Sequence, residues 1–309
     1  MILSVVICTY NRAALLPHTL TALTQQTIPS ERFEVIVVDN NSQDNTTDIA
    51  AKILPKFKNH RLLHESKQGL SHARNCGWRA ATGKYVAFLD DDAKAAPDWC
   101  ERIVTAFTQT LPIPSAVGGP IYPWYEIPPP SWFSDTFEIR TWGSEAGLLP
   151  ESRARFGFSG SNMAFPKEVL EQYRGFNPNF GMVGDKLLLG EEAELFSRIF
   201  EDKPYFWYDP NIKVYHWVPV RNMKVSYRLT RMFKSGRARA KIERQQAVPR
   251  KTCLECIHLL AFIKDLVVVF LPPWQLSKPL IVEKLCRVAN QIGLLLGYCY
   301  NATAIKFKK

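Results

Sequence analysis

Short β-branched runs alternate with stretches of helical period along the first hundred residues, and this alternation constrains the fold more than any other feature. ILSVVICT (2–9) and FEVIVVD (33–39) are continuous apolar runs, the pattern of strands buried on both faces. Between them Leu16, Leu20 and Leu23 recur at helical spacing. A turn rich in Asn, Ser and Asp (40–46) leads to a helix carrying Ile49 and Ile53. RLLHE (61–65) reads as a third strand, LSHARNCGWRAATG (70–83) as a helix ended by Gly83, and KYVAFL (84–89) as a strand running into Asp90, Asp91 and Asp92. Strand–helix alternation of this kind predicts a parallel sheet covered on both sides.

The second half changes character. Residues 118–143 are rich in Pro and Trp, which excludes regular helix, and the stretch is too long for an ordinary connection. It reads as a functional loop. FSGSNMAF (158–165), a helix beginning EEAELFSRIF (191–200) and strands in PYFWYD (204–209) and IKVYHWV (212–218) are expected to complete a mixed sheet. Beyond residue 221 the sequence reads as helical, which divides the chain at 1–220 and 221–309.

Charge separates the same two parts. The whole chain of 309 residues is +10, and residues 221–251 alone hold 11 Lys or Arg against the single acid Glu243. A neutral body thus carries one basic segment, suited to phosphates, nucleic acid or an anionic membrane. Two apolar stretches follow, 257–274 and 288–300. Lys264 and Asp265 interrupt the first, Asn290 and Gln291 the second, so neither is a clean membrane span. Basic helix followed by amphipathic apolar helices predicts attachment to an anionic inner leaflet; a helical cap with a solvated basic face is the alternative. Nucleic acid is not expected as a partner, because the basic segment lacks interleaved aromatics.

Seven cysteines without regular spacing argue against a disulfide scaffold, and the first residues lack a signal-peptide pattern, so a cytoplasmic location is expected. Cys253-Leu-Glu-Cys256 is a lone pair without zinc partners and reads as packing; the Asn301-Ala-Thr303 sequon is irrelevant in the cytosol.

The candidate chemistry is carried by acids. Asp90, Asp91 and Asp92 leave a strand at the carboxyl edge of the sheet, where open α/β folds bind ligands. Three adjacent anions call for a compensating cation, and strand alternation would put Asp90 and Asp92 on one side and Asp91 on the other. Oxygen ligands suit Mg²⁺ or Mn²⁺; an acidic helix-capping turn is the alternative. Asp39 ends the second strand at the same edge, either as a ligand to base or ribose or as a turn former. The first turn, TYNRAALL, has no glycine and so excludes a dinucleotide loop. Glu191 and Glu192 open a helix, where they complement its dipole or supply a general base. His216 is a core histidine or a ligand to metal or phosphate.

Taken together, SVVICTYNR, VIVVDNNSQDNT, LSHARNCG, YVAFLDDDA, GSNMAF and GEEAELFSR stand in the order and spacing of family 2 glycosyltransferases, which the chain resembles over residues 2–220. The resemblance implies a GT-A fold, a Rossmann-like mixed sheet flanked by helices. It implies that Thr9, Tyr10, Arg12 and Asp39 hold the base of a UDP- or GDP-sugar donor, with Arg74 in the nucleotide pocket. Asp90 would contact the ribose or the metal shell, Asp92 would bind Mn²⁺ or Mg²⁺ on the diphosphate, and Asp91 lies between them. His216 would complete the metal site. Glu192 stands where the family has a catalytic aspartate, with Glu191 beside it as the other candidate base. The implied reaction is an inverting transfer of one sugar to a glycan or lipid-linked acceptor in polysaccharide assembly, with a general similarity to enzymes of the hormogonium-polysaccharide type. Absence of Q-x-x-R-W points away from a processive synthase. Trp124, Trp132 and Trp142 would stack on the acceptor, and the C-terminal helices would bring the enzyme to the cytoplasmic face of the inner membrane. A non-catalytic nucleotide-sugar or glycan-binding subunit of the same fold is the competing reading.

Overall fold

The computed structural model describes residues 1–154, 157–183, 190–245 and 277–304. Three parallel strands come first: β1 (Leu3–Thr9), β2 (Phe33–Asp39) and β3 (His60–His64), joined through α1 (Leu16–Thr24) and α2 (Thr46–Ile53). Helix α3 (Leu70–Ala80) leads to β4 (Tyr85–Phe88), which lies parallel to β1 on its other side. After α4 (Trp99–Gln109) come β6 (Ala116–Gly118), β8 (Gly147–Leu148), α5 (Glu151–Ala154) and β9 (Met163–Pro166). Helices α6 (Lys167–Gln172) and α7 (Glu191–Phe200) precede β10 (Phe206–Tyr208). The main sheet has the order β3-β2-β1-β4-β9-β6-β10-β8, and β9 runs antiparallel to both neighbours, so the expected mixed sheet is present.

Period-two alternation divides the core. Val5, Ile7, Val35 and Val37 face one side with Leu16, Leu20, Trp99, Ile103 and Phe107 of α1 and α4. Val6, Ile36, Val38 and Phe88 face the other with Trp78 of α3 and Leu195, Phe196 and Ile199 of α7. Close approach of α3 to the sheet depends on Gly77, where a Cβ would lie 2.3 Å from Val6 Cγ1.

Three sequence expectations are corrected. Helix α3 ends at Ala80, not at Gly83; Gly83 is needed because a Cβ there would sit 2.6 Å from the Ser4 backbone nitrogen. Residues 158–162 form the approach to β9 and are not part of a strand. Strand β11 (Val214–Val218) does not join the main sheet but forms a small second sheet with β5 (Ala93–Ala95) and β7 (Ile121–Tyr125), in the order β5-β11-β7. The β7 strand lies inside the Pro- and Trp-rich stretch.

The chain divides into two units. One contains residues 1–124, 138–186 and 191–217; the other contains 125–137, 187–190 and 218–309. In the second, α8 (Val225–Gln245) packs on α9 (Lys278–Ala304). Contact is at glycines: a Cβ on Gly236 would lie 2.0 Å from the Asn290 carbonyl oxygen, and one on Gly293 2.0 Å from that of Phe233. Segment 125–137 belongs here because Phe133 packs with Val218 and Met223, and the Arg228 guanidinium lies 4.9 Å from the Phe133 ring centroid. The apolar stretch 257–274 and the Cys253/Cys256 pair lie outside the described residues. Among the described residues no helix is long and apolar enough to cross a membrane.

Candidate active site

Register builds the first wall of the site. Thr9 pairs with Asp39 across β1 and β2, and Asp39 pairs with His64 across β2 and β3, so three strand ends meet at the carboxyl edge. Asp39 is buried; its carboxylate accepts from the Ser42 amide at 3.3 Å and lies 3.4 Å from His64 Nδ1. Thr9 is buried beside it, and Tyr10 is half-buried at the rim. Two loops at this edge are laced together. The Asn11 amide donates to Ser42 Oγ (3.0 Å), Asn11 Oδ1 accepts from the Gln43 amide (2.7 Å), and the Arg12 amide donates to Thr46 Oγ1 (2.8 Å). Asn11 has φ 51°, in the left-handed region that Asn tolerates better than most side chains.

The acidic run lies in a turn, since β4 ends at Phe88 and β5 begins at Ala93. Its conformation is nevertheless specific. Thr19 Oγ1 donates to the Asp91 carbonyl at 2.9 Å and the Trp217 amide to the Asp92 carbonyl at 2.9 Å, fixing the turn between α1 and β11. Antiparallel pairing of β11 with β5 sets His216 opposite Ala93, next to the turn. His216 Nε2 lies 3.2 Å from Asp92 Oδ1 and 3.8 Å from Asp90 Oδ2. Its Nδ1 is 3.0 Å from the Trp217 carbonyl, a contact that orients the ring with Nε2 toward the acids. His216 is therefore not a core histidine. One ligand atom each from Asp90, Asp92 and His216 lies within 4.8 Å of the others. Two hard oxygens and one imidazole nitrogen fit Mn²⁺ or Mg²⁺ with positions open for phosphate oxygens.

The compensating cations are Arg12 and Arg74. Arg12 is ion-paired to Asp91 (3.4 Å) and Asp92 (3.5 Å). Burial and the adjacent Asp92 carboxylate push the Asp91 carboxyl up, with Arg12 opposing. Arg74, 2% exposed, donates to Glu191 Oε1 at 2.8 Å and approaches Asp90 Oδ1 at 3.4 Å. Burial works against its charge, but Glu191, Asp90 and Glu192 outweigh it. Both arginines were expected to hold the nucleotide; the geometry ties each to acids of the site.

Of the two glutamates heading α7, Glu191 is buried and paired, its carboxyl pushed up first by burial and then by Glu192, against Arg74. Glu192 is half-buried, and its Oε2 is shielded from solvent without a hydrogen-bond partner among the described residues. Glu194 is committed elsewhere, to Arg198 one turn on at 2.8–2.9 Å.

The three tryptophans have separate surroundings. The Lys94 ammonium lies 3.2 Å from the Trp124 ring centroid, and His18 approaches the same indole edge-on. Trp132 packs against Phe133 and Phe137. Trp142 packs against the core on the α7 side of the main sheet. Sequence reasoning missed His64 and Asn11, whose positions follow from strand register and loop lacing. It also missed Asn162, whose Oδ1 accepts from Trp99 Nε1 (2.9 Å) while its Nδ2 donates to the Pro120 and Ile212 carbonyls.

Comparison of this fold with solved structures yields GT-A-type transferases. The mannosyltransferase PcManGT from Pyrobaculum calidifontis, determined with GDP-Man and Mn²⁺, has a TM-score of 0.59 at 22% identity, covering 99% of this chain and 76% of that one. TarS residues 1–349 from S. aureus, with UDP-GlcNAc, has a TM-score of 0.56 at 15% identity, covering 98% and 92%. The chain belongs to glycosyl transferase family 2, whose model matches residues 4–174. Among curated relatives, the glucosyl-dolichyl phosphate glucuronosyltransferase of Haloferax volcanii is 32% identical over 209 residues, 65% of this chain and 64% of that protein. The succinoglycan biosynthesis protein ExoM of Rhizobium meliloti is 26% identical over 246 residues, 78% and 75%. The match to the Haloferax volcanii glycosyltransferase AglE, 41% identical over 108 residues, spans 36% of that protein.

Proposed function

We propose that the chain is an inverting, metal-dependent glycosyltransferase that moves one sugar from a nucleotide-diphosphate donor to a glycan or lipid-linked acceptor. The observation that carries this reading is the convergence of Asp90, Asp92 and His216 on one point, with Glu191 at the head of α7 joined to Asp90 through Arg74. Asp90, Asp92 and His216 would hold Mn²⁺ or Mg²⁺, which when bound supplies neutralisation of the charge growing on the departing diphosphate. Asp39 and His64 at the edge of β2 and β3 offer an acceptor and an imidazole to the donor's base or ribose. Glu192 accepts the proton of the acceptor hydroxyl as its oxygen attacks the anomeric carbon from the face opposite the diphosphate. Glu191, already engaged by Arg74, is the less available base.

Names of relatives support the substrate classes: GDP-Man and UDP-GlcNAc for the donor, a dolichyl phosphate for a lipid-linked acceptor, and succinoglycan for polysaccharide assembly. The basic segment 221–251 supports peripheral attachment to an anionic, cytoplasmic membrane face. A panel of UDP- and GDP-sugars tested for Mn²⁺-dependent hydrolysis and thermal stabilisation checks the reading, because a ligand of the native state alone raises apparent stability. Absence of both effects across the panel would reject it. Flotation with anionic and neutral liposomes tests the membrane arm; equal behaviour in the two would remove it.

A further inference from the structure

Arg74 lies inside the unit that holds the site, with three constraints on its guanidinium. Nη1 donates to Glu191 Oε1 at 2.8 Å, Nη2 stands 3.4 Å from Asp90 Oδ1, and the group lies 5.3 Å from the Phe176 ring centroid. Gly160 makes room for it: a Cβ there would lie 2.3 Å from Nη2. The helix that bears Arg74 is itself anchored. Asn75 Nδ2 donates to the Phe176 carbonyl (2.7 Å), its Oδ1 accepts from the Phe176 amide (2.9 Å), and the Leu70 amide donates to the Met182 carbonyl (2.8 Å). With its side chain 3% exposed, Arg74 offers almost no surface to an incoming nucleotide.

We propose that Arg74 is a positioning residue: it clamps Glu191, the first residue of α7, to Asp90 of the acidic turn, and so fixes the separation between Glu192 and the metal-holding carboxylates. A planar guanidinium holds two carboxylates in a set relative geometry, whereas an ammonium is a point charge without that directionality. Asp90 and Glu191 flank this one cation, Glu192 adds to the negative field on it, and without it their repulsion drives the turn and the head of α7 apart. The inference rests on Glu192 as the proton acceptor and on Asp90, Asp92 and His216 as the metal site.

The full-length chain and its Arg74→Met, Arg74→Lys and Gly160→Ala variants test the clamp. Calorimetric affinity for UDP and GDP in Mn²⁺ is measured beside hydrolysis of UDP-glucose and GDP-mannose and hydrogen exchange at the first turn of α7. Expected are nucleotide affinities within about threefold of wild type, a kcat lower by about 100-fold in Arg74→Met and faster exchange at α7. Lys should restore part of the rate, and Gly160→Ala should reproduce a smaller loss by displacing the guanidinium. A tenfold or greater loss of nucleotide affinity with kcat retained would make Arg74 a donor ligand and overturn the proposal, as would exchange at α7 equal to wild type. If Arg74→Met does not fold, Arg74→Lys and Gly160→Ala carry the test. Glu192→Gln and Asp92→Asn run in parallel: full activity in both would defeat the underlying reading, while exchange at α7 still decides the clamp.

Discussion

Glu191 and Glu192 are chemically identical neighbours that the fold places in different circumstances. Glu191 is buried against Arg74, while Glu192 keeps a shielded oxygen without a hydrogen-bond partner among the described residues. Their variants should therefore differ. Glu192→Gln is expected to lower turnover by about 10²–10⁴-fold with little change in the urea midpoint, measured by initial rates and equilibrium unfolding. Glu191→Ala leaves Arg74 buried without its nearest anion and should lower stability by about 3 kcal/mol, read from the same unfolding curves. At the metal site, Asp92→Asn or His216→Ala should weaken Mn²⁺ binding by at least about tenfold, equivalent to about 1.4 kcal/mol, measured by the free-ion signal in electron paramagnetic resonance. An unchanged Mn²⁺ affinity in both variants would place the ion elsewhere.

Among the elements, α3 has the most demanding position, since it packs on β1 and carries Arg74 toward the acidic turn. Its approach relies on Gly77, and Gly77→Ala would insert a methyl against Val6 between helix and sheet. A loss of about 1–3 kcal/mol is expected in urea unfolding, with nucleotide binding falling only as far as α3 shifts. Much of this level was legible in advance. Runs such as FEVIVVD and the spacing of Leu16, Leu20 and Leu23 announce strand and helix because burial on a sheet or helix imposes its own period. Strand β11 was legible as a strand but not as a member of the second sheet, because period reports which faces are apolar and not which neighbour a strand pairs with.

For the whole molecule, the division of the chain does not follow its linear order. Tyr125–Phe137 belongs with the C-terminal unit through Phe133, Val218, Met223 and Arg228. A chain ended at residue 217 would leave Trp132, Phe133 and Phe137 without those partners. Lower soluble yield and increased binding of a hydrophobic dye are expected relative to the full chain. Soluble yield and dye binding equal to the full chain would show that this cluster does not need the helices.

The amino-acid order alone determined the alternating α/β scaffold, the acids at the strand ends and the basic C-terminal segment, because period, charge and strand-terminal position are local properties of a chain. Tertiary structure decided the rest. It brought His216 to Asp90 and Asp92 across more than a hundred residues, set Arg12 and Arg74 against the site's acids, and gave the three tryptophans separate surroundings. The reason is register: which strand ends and helix turns meet is set by pairing and packing between distant segments, and a period of two or 3.6 residues does not encode it.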